Sequence, residues 1–338
     1  MRFIRVASLL PALLLSAVLT AQQPVKNLVM EGGGIRGIAY IGALQVLDSA
    51  GQLQQLERVG GTSAGAIQAC LLAVGYTPAE ILQALQSTSF KQFNDGSFLA
   101  IPGAVRLQKH MGWYKGEALT QWIAEKIAAK TGNPNISFQQ LYDQRQSLGR
   151  VSLYITGTDL SWQRLRVFSH ETYPNMRIAD AVRISASIPF YFQPNWIDSA
   201  GRCFSTNDSL STRSLVVDGG LLANYPLAIF DSSRYVNGDL PNHYQRNAAT
   251  LGLQLEEPWI VDSPLVQSMR PYPIDNNNTY LKSIYKLLVD KPVKDLERTV
   301  LISNLSLNPR IRKLPQKQVD QLLESGRQAA RKFLEQRH

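Results

Sequence analysis

The sequence predicts an α/β fold in three layers, with a mostly parallel central sheet covered by helices on both faces. Short apolar runs with β-branched residues alternate along the 338 residues with segments whose apolar positions recur at helical spacing. Strands that alternate with helices favour a parallel sheet, and buried parallel strands read as continuous apolar runs. The predicted strands span residues 28–30, 56–59, 151–157, 215–217, 250–255 and 299–302.

The helices are predicted from periodicity and from their start signals. Thr77 is placed to cap a helix that has Pro78 at its first position and Glu80 at its third, a typical capping pattern. The last predicted helix, 315–336, has its apolar residues on one face. The predicted helices span residues 38–47, 64–74, 77–87, 116–130, 181–185 and 315–336.

The first strand ends in a glycine-rich turn, Glu31–Gly37, which reads EGGGIRG. Three successive glycines before a helix aim several backbone N–H groups into one small space, where the helix dipole adds positive potential. Such donors suit a developing oxyanion, and Gly33 and Gly34 are the best candidates. Arg36 is placed either to anchor this loop or to face an anionic head group, and the sequence leaves both roles open.

The second strand ends in Gly61–Gly65, which reads GTSAG and matches the Gly-x-Ser-x-Gly pattern of a nucleophile elbow. In such a turn a strained backbone lifts the serine hydroxyl above the sheet edge. Glycines on either side let the strand and the helix approach without clashing Cβ atoms. The pattern therefore predicts Ser63 as a nucleophile.

The first turn also fits the dinucleotide-binding pattern Gly-x-Gly-x-x-Gly through Gly32, Gly34 and Gly37. That pattern requires an acidic residue about 20 positions further on, at the end of a second strand. Glu57 is near that spacing, but it lies within the predicted strand that leads to Ser63. A nucleotide-binding enzyme is therefore an alternative.

The short predicted strand 215–217 is followed by Asp218, Gly219 and Gly220. An ionisable residue at the carboxyl end of a strand lies where open α/β sheets bind their ligands. Asp before Gly is also common in ordinary turns. From the residues alone, Asp218 is either a catalytic group or a turn residue.

Taken in this order, GGGIRG at 32–37, GTSAG at 61–65 and DGGLLANYP at 218–226 resemble the patatin-like phospholipase family. The stretches TGTDL at 156–160 and ADAVRISASIP at 179–189 agree with this resemblance. Three motifs in the family's order make the resemblance specific.

The resemblance implies a patatin-like fold and a serine ester hydrolase that acts on phospholipid, lysophospholipid or another acyl-lipid, without a metal or a cofactor. In that family a Ser–Asp dyad works without histidine, and the glycine-rich loop is the oxyanion hole. Carried over, it implies Ser63 as nucleophile and Asp218 as proton acceptor. The implied oxyanion-hole loop comprises Gly32, Gly33, Gly34, Arg36 and Gly37, and the implied motif glycines are Gly61, Gly65, Gly219 and Gly220.

We expect a single folded domain after the N-terminal segment. The resemblance covers residues 28–231 well and the remainder more loosely, and no repeat or low-complexity linker divides the chain. Residues 232–338 are therefore expected to complete the same α/β domain.

Two further functional alternatives stay open. A Ser-Asp-His triad needs a histidine after the aspartate, and only His243 and the terminal His338 follow Asp218. An esterase of that kind would use His243. The other alternative is a catalytically idle protein that binds or stores lipid.

The N-terminal residues predict a secretory signal peptide at 1–21. Arg2 and Arg5 form a basic start, residues 7–19 are apolar, and small residues follow up to Ala21. The apolar run is too short to span a membrane. Cleavage after Ala21 would export the protein to the periplasm, the outer membrane or the medium, and an uncleaved anchor is the alternative.

The formal net charge of +9 indicates an affinity for anionic partners. No nucleic-acid-binding motif accompanies it, so we predict no nucleic-acid partner and a peripheral contact with an anionic membrane. A solvated helix face is the alternative, and the sequence does not specify an oligomeric state. The late basic residues are Arg310, Arg312, Lys313, Lys317, Arg327, Arg331, Lys332 and Arg337.

Aromatic residues recur in a weakly periodic stretch between residues 90 and 114. Such residues can line a groove for an acyl chain or form a lid over it. Ordinary packing beside the core is the alternative. The residues are Phe90, Phe93, Phe98, Trp113 and Tyr114.

Overall fold

The computed structural model describes residues 24–96, 103–206, 212–239, 242–262, 274–276, 279–280, 283–284, 287 and 295–337. The predicted signal peptide, Phe98 and His338 lie outside these residues.

The described strands are β1 (Asn27–Met30), β2 (Arg58–Gly61), β3 (Gly112–Tyr114), β4 (Ser152–Asp159), β5 (Arg164–Phe168), β6 (Phe190–Phe192), β7 (Asn195–Ile197), β8 (Cys203–Phe204), β9 (Ser214–Asp218), β10 (Thr250–Glu256) and β11 (Thr299–Ser303). The described α-helices are α1 (Ile38–Ser49), α2 (Ala64–Ala73), α3 (Pro78–Gln86), α4 (Gly103–His110), α5 (Glu117–Thr131), α6 (Phe138–Asp143), α7 (Arg145–Leu148), α8 (Ile178–Ser185), α9 (Gly220–Ala223), α10 (Ser233–Val236), α11 (Pro258–Asp262) and α12 (Gln316–Gln336). Short 3-10 segments lie at Gly34–Gly37, Phe90–Phe93, Leu227–Phe230 and Leu296–Arg298.

Within the described ranges, nine strands form one sheet in the order β11-β10-β1-β2-β4-β9-β7-β8, with β5 also paired to β4. The first five strands of this order, from β11 to β4, are parallel to one another. The strands β5, β9, β7 and β8 run antiparallel to the strands they pair with. The predicted α/β fold with a mostly parallel central sheet is confirmed, and the antiparallel strands form one side of that sheet.

The strand β1 is buried on both faces of the sheet. Leu28 and Met30 belong to the main hydrophobic cluster, together with side chains of the long helices. Val29 points to the opposite face, as alternation along a strand requires, and packs in a second cluster with Tyr154 and Phe230. Short elements around the 3-10 segment at 227–230 cover this second face.

The two strands that carry Ser63 and Asp218 share one edge of β4. Ile155 pairs with both β2 and β5, so these two strands lie on opposite edges. Gly157 pairs with both β5 and β9, which puts β9 on the same edge as β2. Because β2 runs parallel and β9 antiparallel to β4, their carboxyl ends point toward each other. This arrangement brings together two residues that are 155 positions apart in the sequence.

The C-terminal part extends the sheet through β10 and β11 and packs α12 against α1. The two helices touch backbone to backbone. A Cβ at Gly42 would lie 1.9 Å from the Leu323 carbonyl oxygen, and one at Gly326 would lie 1.9 Å from that of Ala39. Among the helices that the structure describes, none is long and apolar enough to cross a membrane.

Candidate active site

Ser63 stands on the turn between β2 and α2 in a strained backbone conformation. Its φ of 52° and ψ of −117° lie outside the regions that residues with a side chain ordinarily occupy. A Cβ at Gly65 would lie 2.3 Å from the Met30 carbonyl oxygen, and one at Gly61 would lie 2.4 Å from the Gly65 carbonyl carbon. The backbone thus has the strained strand–turn–helix geometry that a nucleophile elbow requires.

Asp218 ends β9 beside Ser63 and is 2% exposed. The Ser63 side chain lies close enough to this carboxylate to favour its ionised form. The Gly220 N–H donates to Asp218 Oδ1 at 2.7 Å, and the Asp218 N–H donates to the Ser187 carbonyl at 3.1 Å. These contacts hold the carboxylate against the Ser63 hydroxyl.

The turn after Asp218 is joined to β2 and β4 by a second set of contacts. The Thr62 hydroxyl lies 2.6 Å from that of Thr156 and donates to the Ala223 carbonyl at 2.8 Å. A Cβ at Gly219 would lie 2.4 Å from Thr156 Oγ1, so the turn has room only for glycine there. The contacts of Thr62 and Thr156 therefore support both the Ser63 turn and the turn after Asp218.

Burial raises the pKa of Asp218 from 3.8 to about 7. The hydrogen bond from Gly220 and the nearby Ser63 side chain favour the ionised form and oppose this rise without cancelling it. A carboxylate with a pKa near 7 is a far better proton acceptor at neutral pH than an exposed aspartate. Such a pKa is what serine activation would require of Asp218.

We expect kcat/KM for a soluble neutral ester to rise about tenfold per pH unit below pH 7 and to level off above it. Only the ionised carboxylate of Asp218 can accept the Ser63 proton, and its pKa is about 7. An ordinary aspartate would place this rise near its usual pKa of about 3.9. Initial rates across the pH range test this, and a plateau that extends down to about pH 5 would contradict it.

Gly33 and Gly34 shape the loop that faces Ser63. Gly34 has a φ of +56°, and a Cβ there would lie 2.1 Å from the Pro309 carbonyl oxygen. A Cβ at Gly33 would lie 2.4 Å from a methyl group of Leu255. Among the residues that the structure describes, none accepts a hydrogen bond from the N–H of Gly33 or Gly34. Both N–H groups are therefore unpaired within these residues.

Arg36 and Gly37, which also belong to the implied oxyanion-hole loop, hold it in place. The Arg36 Nε donates to the Gly33 carbonyl at 3.2 Å, which is the anchoring role among the two that the sequence left open. The Gly37 carbonyl accepts from Gln68 Nε2 at 2.6 Å and so ties the loop to α2.

Asn224 and Glu31 form a buried network beneath this loop, a role that the sequence analysis missed. The Asn224 Nδ2 donates to Glu31 Oε1 and to the Gly32 carbonyl, both at 3.2 Å, and the Asn224 carbonyl accepts from the Gly32 N–H at 3.0 Å. Glu31 Oε2 accepts from the Leu255 N–H at 2.8 Å. The signal for this network was an acidic residue inserted between an apolar strand and a glycine run.

Ser185 holds the backbone of Ser63, and the sequence analysis also missed this role. Its Oγ accepts the Ser63 N–H at 2.9 Å, and the residue is fully buried at the end of α8. A serine within an apolar helical segment was the available signal. This hydrogen bond helps to keep Ser63 in its strained conformation.

An apolar cavity opens beside Ser63. Phe90 and Phe93 line it, which supports the groove interpretation for these two aromatic residues. Trp113 is 44% exposed and Tyr114 stacks edge-on against Tyr191, so these two lie outside the lining. The lining residues are Gly34, Ile35, Gly37, Ile38, Ser63, Ala64, Ile67, Gln68, Leu85, Phe90, Phe93, Leu119, Ala186, Ile188, Phe192 and Ile311.

Residues 28–231 match the family model described as Patatin, patatin-like phospholipase. The chain belongs to the patatin-like phospholipase family. Membership covers the elbow of Ser63, the glycine-rich loop and Asp218, all of which lie within the matched residues. The chain is therefore a member of a family of lipid hydrolases.

Two relatives and one solved structure illustrate this membership. The uncharacterized protein YqhO of Bacillus subtilis is 33% identical over 216 residues, which cover 61% of this chain and 67% of YqhO. The probable lipid hydrolase 463L of Invertebrate iridescent virus 6 is 25% identical over 205 residues, which cover 60% of this chain and 62% of that protein. VipD from Legionella pneumophila superposes with a TM-score of 0.56 and 16% identity over 92% of this chain and 67% of its own, and it shares the fold.

His243 lies near the amino ends of the parallel strands, whereas Ser63 lies at their carboxyl ends. His243 precedes β10, whose first residue Thr250 pairs with Asn27 at the amino end of β1. Ser63 instead follows the carboxyl end of β2. The backbone of His243 is bonded to Ser233. The structure does not bring His243 to Ser63 and gives no support to a triad.

Glu57 directly precedes β2, at the amino end of the sheet. The dinucleotide-binding pattern places no acidic residue at this end. The Glu57 carboxylate pairs with Lys26 at 3.1 Å and with Arg58 at 3.0 Å. The dinucleotide pattern needs an acidic group at the carboxyl end of the second strand, and β2 ends there in the Ser63 turn. The nucleotide-binding alternative therefore has no support from the site.

Proposed function

We propose that the protein is a lipid acyl hydrolase that cleaves carboxylic esters through an acyl-enzyme on Ser63. The observation that supports this best is the approach of the buried Asp218 carboxylate to the Ser63 side chain, which lines an apolar cavity. In this proposal the ester carbonyl binds between two sets of groups. The hydroxyl lies on one side, and the N–H groups of Gly33 and Gly34 lie on the other.

In the first half of the reaction, Ser63 Oγ attacks the ester carbonyl while its proton passes to the Asp218 carboxylate. The carbonyl oxygen becomes an oxyanion, which the N–H groups of Gly33 and Gly34 stabilise. The intermediate collapses and the bond to the alcohol breaks. Protonated Asp218 returns the proton to the leaving alkoxide, and the acyl group stays on Ser63.

In the second half, a water molecule gives its proton to Asp218 as its oxygen attacks the acyl carbonyl. The same two N–H groups stabilise the second oxyanion. When that intermediate collapses, Ser63 Oγ leaves and takes the proton back from Asp218. A fatty acid is released, and the enzyme returns to its starting state.

We propose phospholipid or lysophospholipid as the substrate class, with other acyl-lipids as alternative substrates to be tested. The lining of the cavity supports this proposal, because apart from Ser63 and Gln68 it consists of apolar residues and glycines. Such a lining suits the hydrocarbon chain of a fatty acid.

Labelling with an alkyl fluorophosphonate tests the nucleophile directly. Wild type should gain one adduct by intact mass, and Ser63→Ala should gain none. Ser306→Ala is the matched control, because Ser306 also has a positive φ of 52° and its hydroxyl donates to a Glu257 carboxylate oxygen at 2.7 Å. A lipid panel read by mass spectrometry then identifies the substrate. Labelling of Ser63→Ala, or its loss in Ser306→Ala, would contradict the assignment.

We expect hydrolysis to persist in excess EDTA. Ser63, Asp218 and the two loop N–H groups supply every step of the proposed reaction, and no carboxylate run in the sequence resembles a calcium-binding loop. The measurement compares rates on one lipid before and after exhaustive chelation. Activity that disappears in EDTA and returns with added calcium would show that the reaction needs a metal ion, which the proposal does not include.

A further inference from the structure

Three large apolar side chains project into solvent beside the small parallel pair of β3 and β6. Met111 is 42% exposed, Trp113 is 44% exposed and Phe190 is 71% exposed. Gly112 pairs with Phe190, so the three residues are neighbours across the two strands. We call Met111, Trp113 and Phe190 the apolar rim.

Two of the three rim residues have backbone conformations that bulky side chains rarely adopt. Met111 has a φ of 57° and Phe190 a φ of 66°. Neither side chain is buried in return, so the local strain is not offset by packing of these side chains. Strain of this kind collects at sites where a particular side-chain placement is used. The rim is therefore a candidate for a contact outside the chain.

The rim borders the entrance to the cavity beside Ser63. Ile188 and Phe192 line that cavity, and they flank Phe190 in the sequence at a distance of two residues. Tyr114 pairs with Phe192 across the same two strands. A surface that covered the rim would also cover the cavity entrance.

A basic segment adjoins the same entrance. It consists of Arg310, Arg312 and Lys313, which are all exposed. Ile311, between the two arginines, lines the cavity, and Arg310 is close enough to Tyr191 to act on its hydroxyl electrostatically. In the part of the chain that the structure describes, no carboxylate lies within ion-pair distance of these three residues.

We propose that the apolar rim and the basic segment together form the surface that docks this protein on an anionic lipid bilayer. Exposed aromatic and aliphatic side chains enter the boundary between head groups and acyl chains, and basic side chains attract the anionic head groups. The cavity entrance would then face the bilayer. The proposal rests on the proposed function for its purpose, while docking itself requires no catalysis.

Vesicle sedimentation tests the docking surface with Ser63→Ala as the background, so that no lipid is cleaved. Vesicles of phosphatidylcholine alone are compared with vesicles that also contain phosphatidylglycerol. Phe190→Asp should lower binding to the anionic vesicles by roughly tenfold or more, because it puts a charge into the rim. Asp also tolerates a positive φ better than Phe, so the fold should persist. Tyr244→Asp is the matched control, because Tyr244 is 75% exposed and lies near the amino ends of the parallel strands, opposite Ser232.

The double variant Arg310→Ala/Arg312→Ala tests the basic segment in the same assay. It should also weaken binding to anionic vesicles by roughly tenfold, and this loss should shrink when salt is raised. Its control is Lys26→Ala/Arg246→Ala, which removes the same charge at the amino end of the sheet. That control should bind nearly as well as the background.

The outcomes separate docking from catalysis. In the active background, the rim and segment variants should hydrolyse a soluble short-chain ester at the wild-type rate and lose activity only on vesicles. Vesicle binding that is equal in the variants and their controls would overturn the docking surface. So would self-association of the wild type that Phe190→Asp abolishes, since the rim would then join two copies. Inactivity of the wild type on soluble ester, with vesicle binding intact, would overturn the proposed function and leave docking standing.

Discussion

Asp218→Asn should lower the turnover of a soluble ester by about 10²–10⁴-fold, while His243→Ala should leave it near the wild-type rate. The asparagine keeps the shape of the side chain but cannot accept the Ser63 proton. His243 lies near the amino ends of the parallel strands, away from Ser63, and it transfers no proton in the proposed reaction. Both variants are measured on one ester under the same conditions. An inactive His243→Ala that is properly folded would overturn the assignment of Asp218 as the base.

The stability of Asp218→Asn provides an internal control for that experiment. Since burial raises the pKa of Asp218 to about 7, the folded protein favours its protonated form. The stability that this group contributes is fully present below its unfolded pKa of about 3.9 and is lost as the pH rises through 7. At pH 8 the buried, ionised carboxylate therefore lowers the free energy of unfolding of the wild type by an amount on the order of a few kcal/mol. Asn removes this charge.

The melting temperature of Asp218→Asn should accordingly exceed that of the wild type at pH 8. The difference should shrink as the pH is lowered from about 7 to below about 3.9, where the wild-type carboxyl becomes protonated in the unfolded state as well. Loss of activity together with a gain in stability separates a missing base from a damaged fold. A variant that melts below the wild type at pH 8 would show that the ionised carboxylate is stabilised in the fold.

The sequence could predict the position of Asp218 but not its chemistry. The apolar run before it and the glycines after it indicated a strand end. Its pKa depends on burial by residues from distant strands and helices, which no local pattern records. The direction of β9 was also hidden, because an antiparallel strand reads like any other short apolar run. The head-to-head meeting of β2 and β9 follows only from their pairing with β4.

The boundaries of β2 show how glycine conceals a strand. The sequence predicted residues 56–59, whereas the strand spans Arg58–Gly61. Glycine is depleted in strands, so Gly60 and Gly61 read as the start of the turn. Packing overrides that preference, because a Cβ at Gly60 would lie 2.7 Å from a methyl group of Ile229. The close approach that requires glycine here is a tertiary contact.

The glycine-rich loop was predicted from its motif, but the residues that shape it come from the far end of the chain. Pro309 and Leu255 limit the space at Gly34 and Gly33. Neither residue carries a local signal, and both follow residue 231, where the family match ends. The same is true of β3 and β6, three-residue strands whose pairing across 78 positions no periodicity could indicate. Local turn chemistry can be read from a sequence, while such supports require the fold.

Gly34→Val should lower the turnover of a soluble ester by about 10²–10³-fold or more while the protein stays folded. Gly34 has a φ of +56°, and its Cβ would lie 2.1 Å from the Pro309 carbonyl oxygen, which already accepts the Ile35 N–H at 3.2 Å. A branched side chain must therefore shift the loop and turn the N–H groups of Gly33 and Gly34 away from the oxyanion. Turnover and the rate of fluorophosphonate labelling are measured well below the melting temperature.

Gly132→Val is the matched control, because it separates the strain of a positive φ from the shift of the loop. Gly132 has a φ of +73° at the end of α5, and a Cβ there meets nothing within 4 Å. Both valines should cost stability through the left-handed backbone, but only Gly34→Val should lose the reaction. The difference in rate between the two then measures the oxyanion donors rather than the fold. Near-wild-type turnover in Gly34→Val would mean that the donors for the oxyanion lie elsewhere.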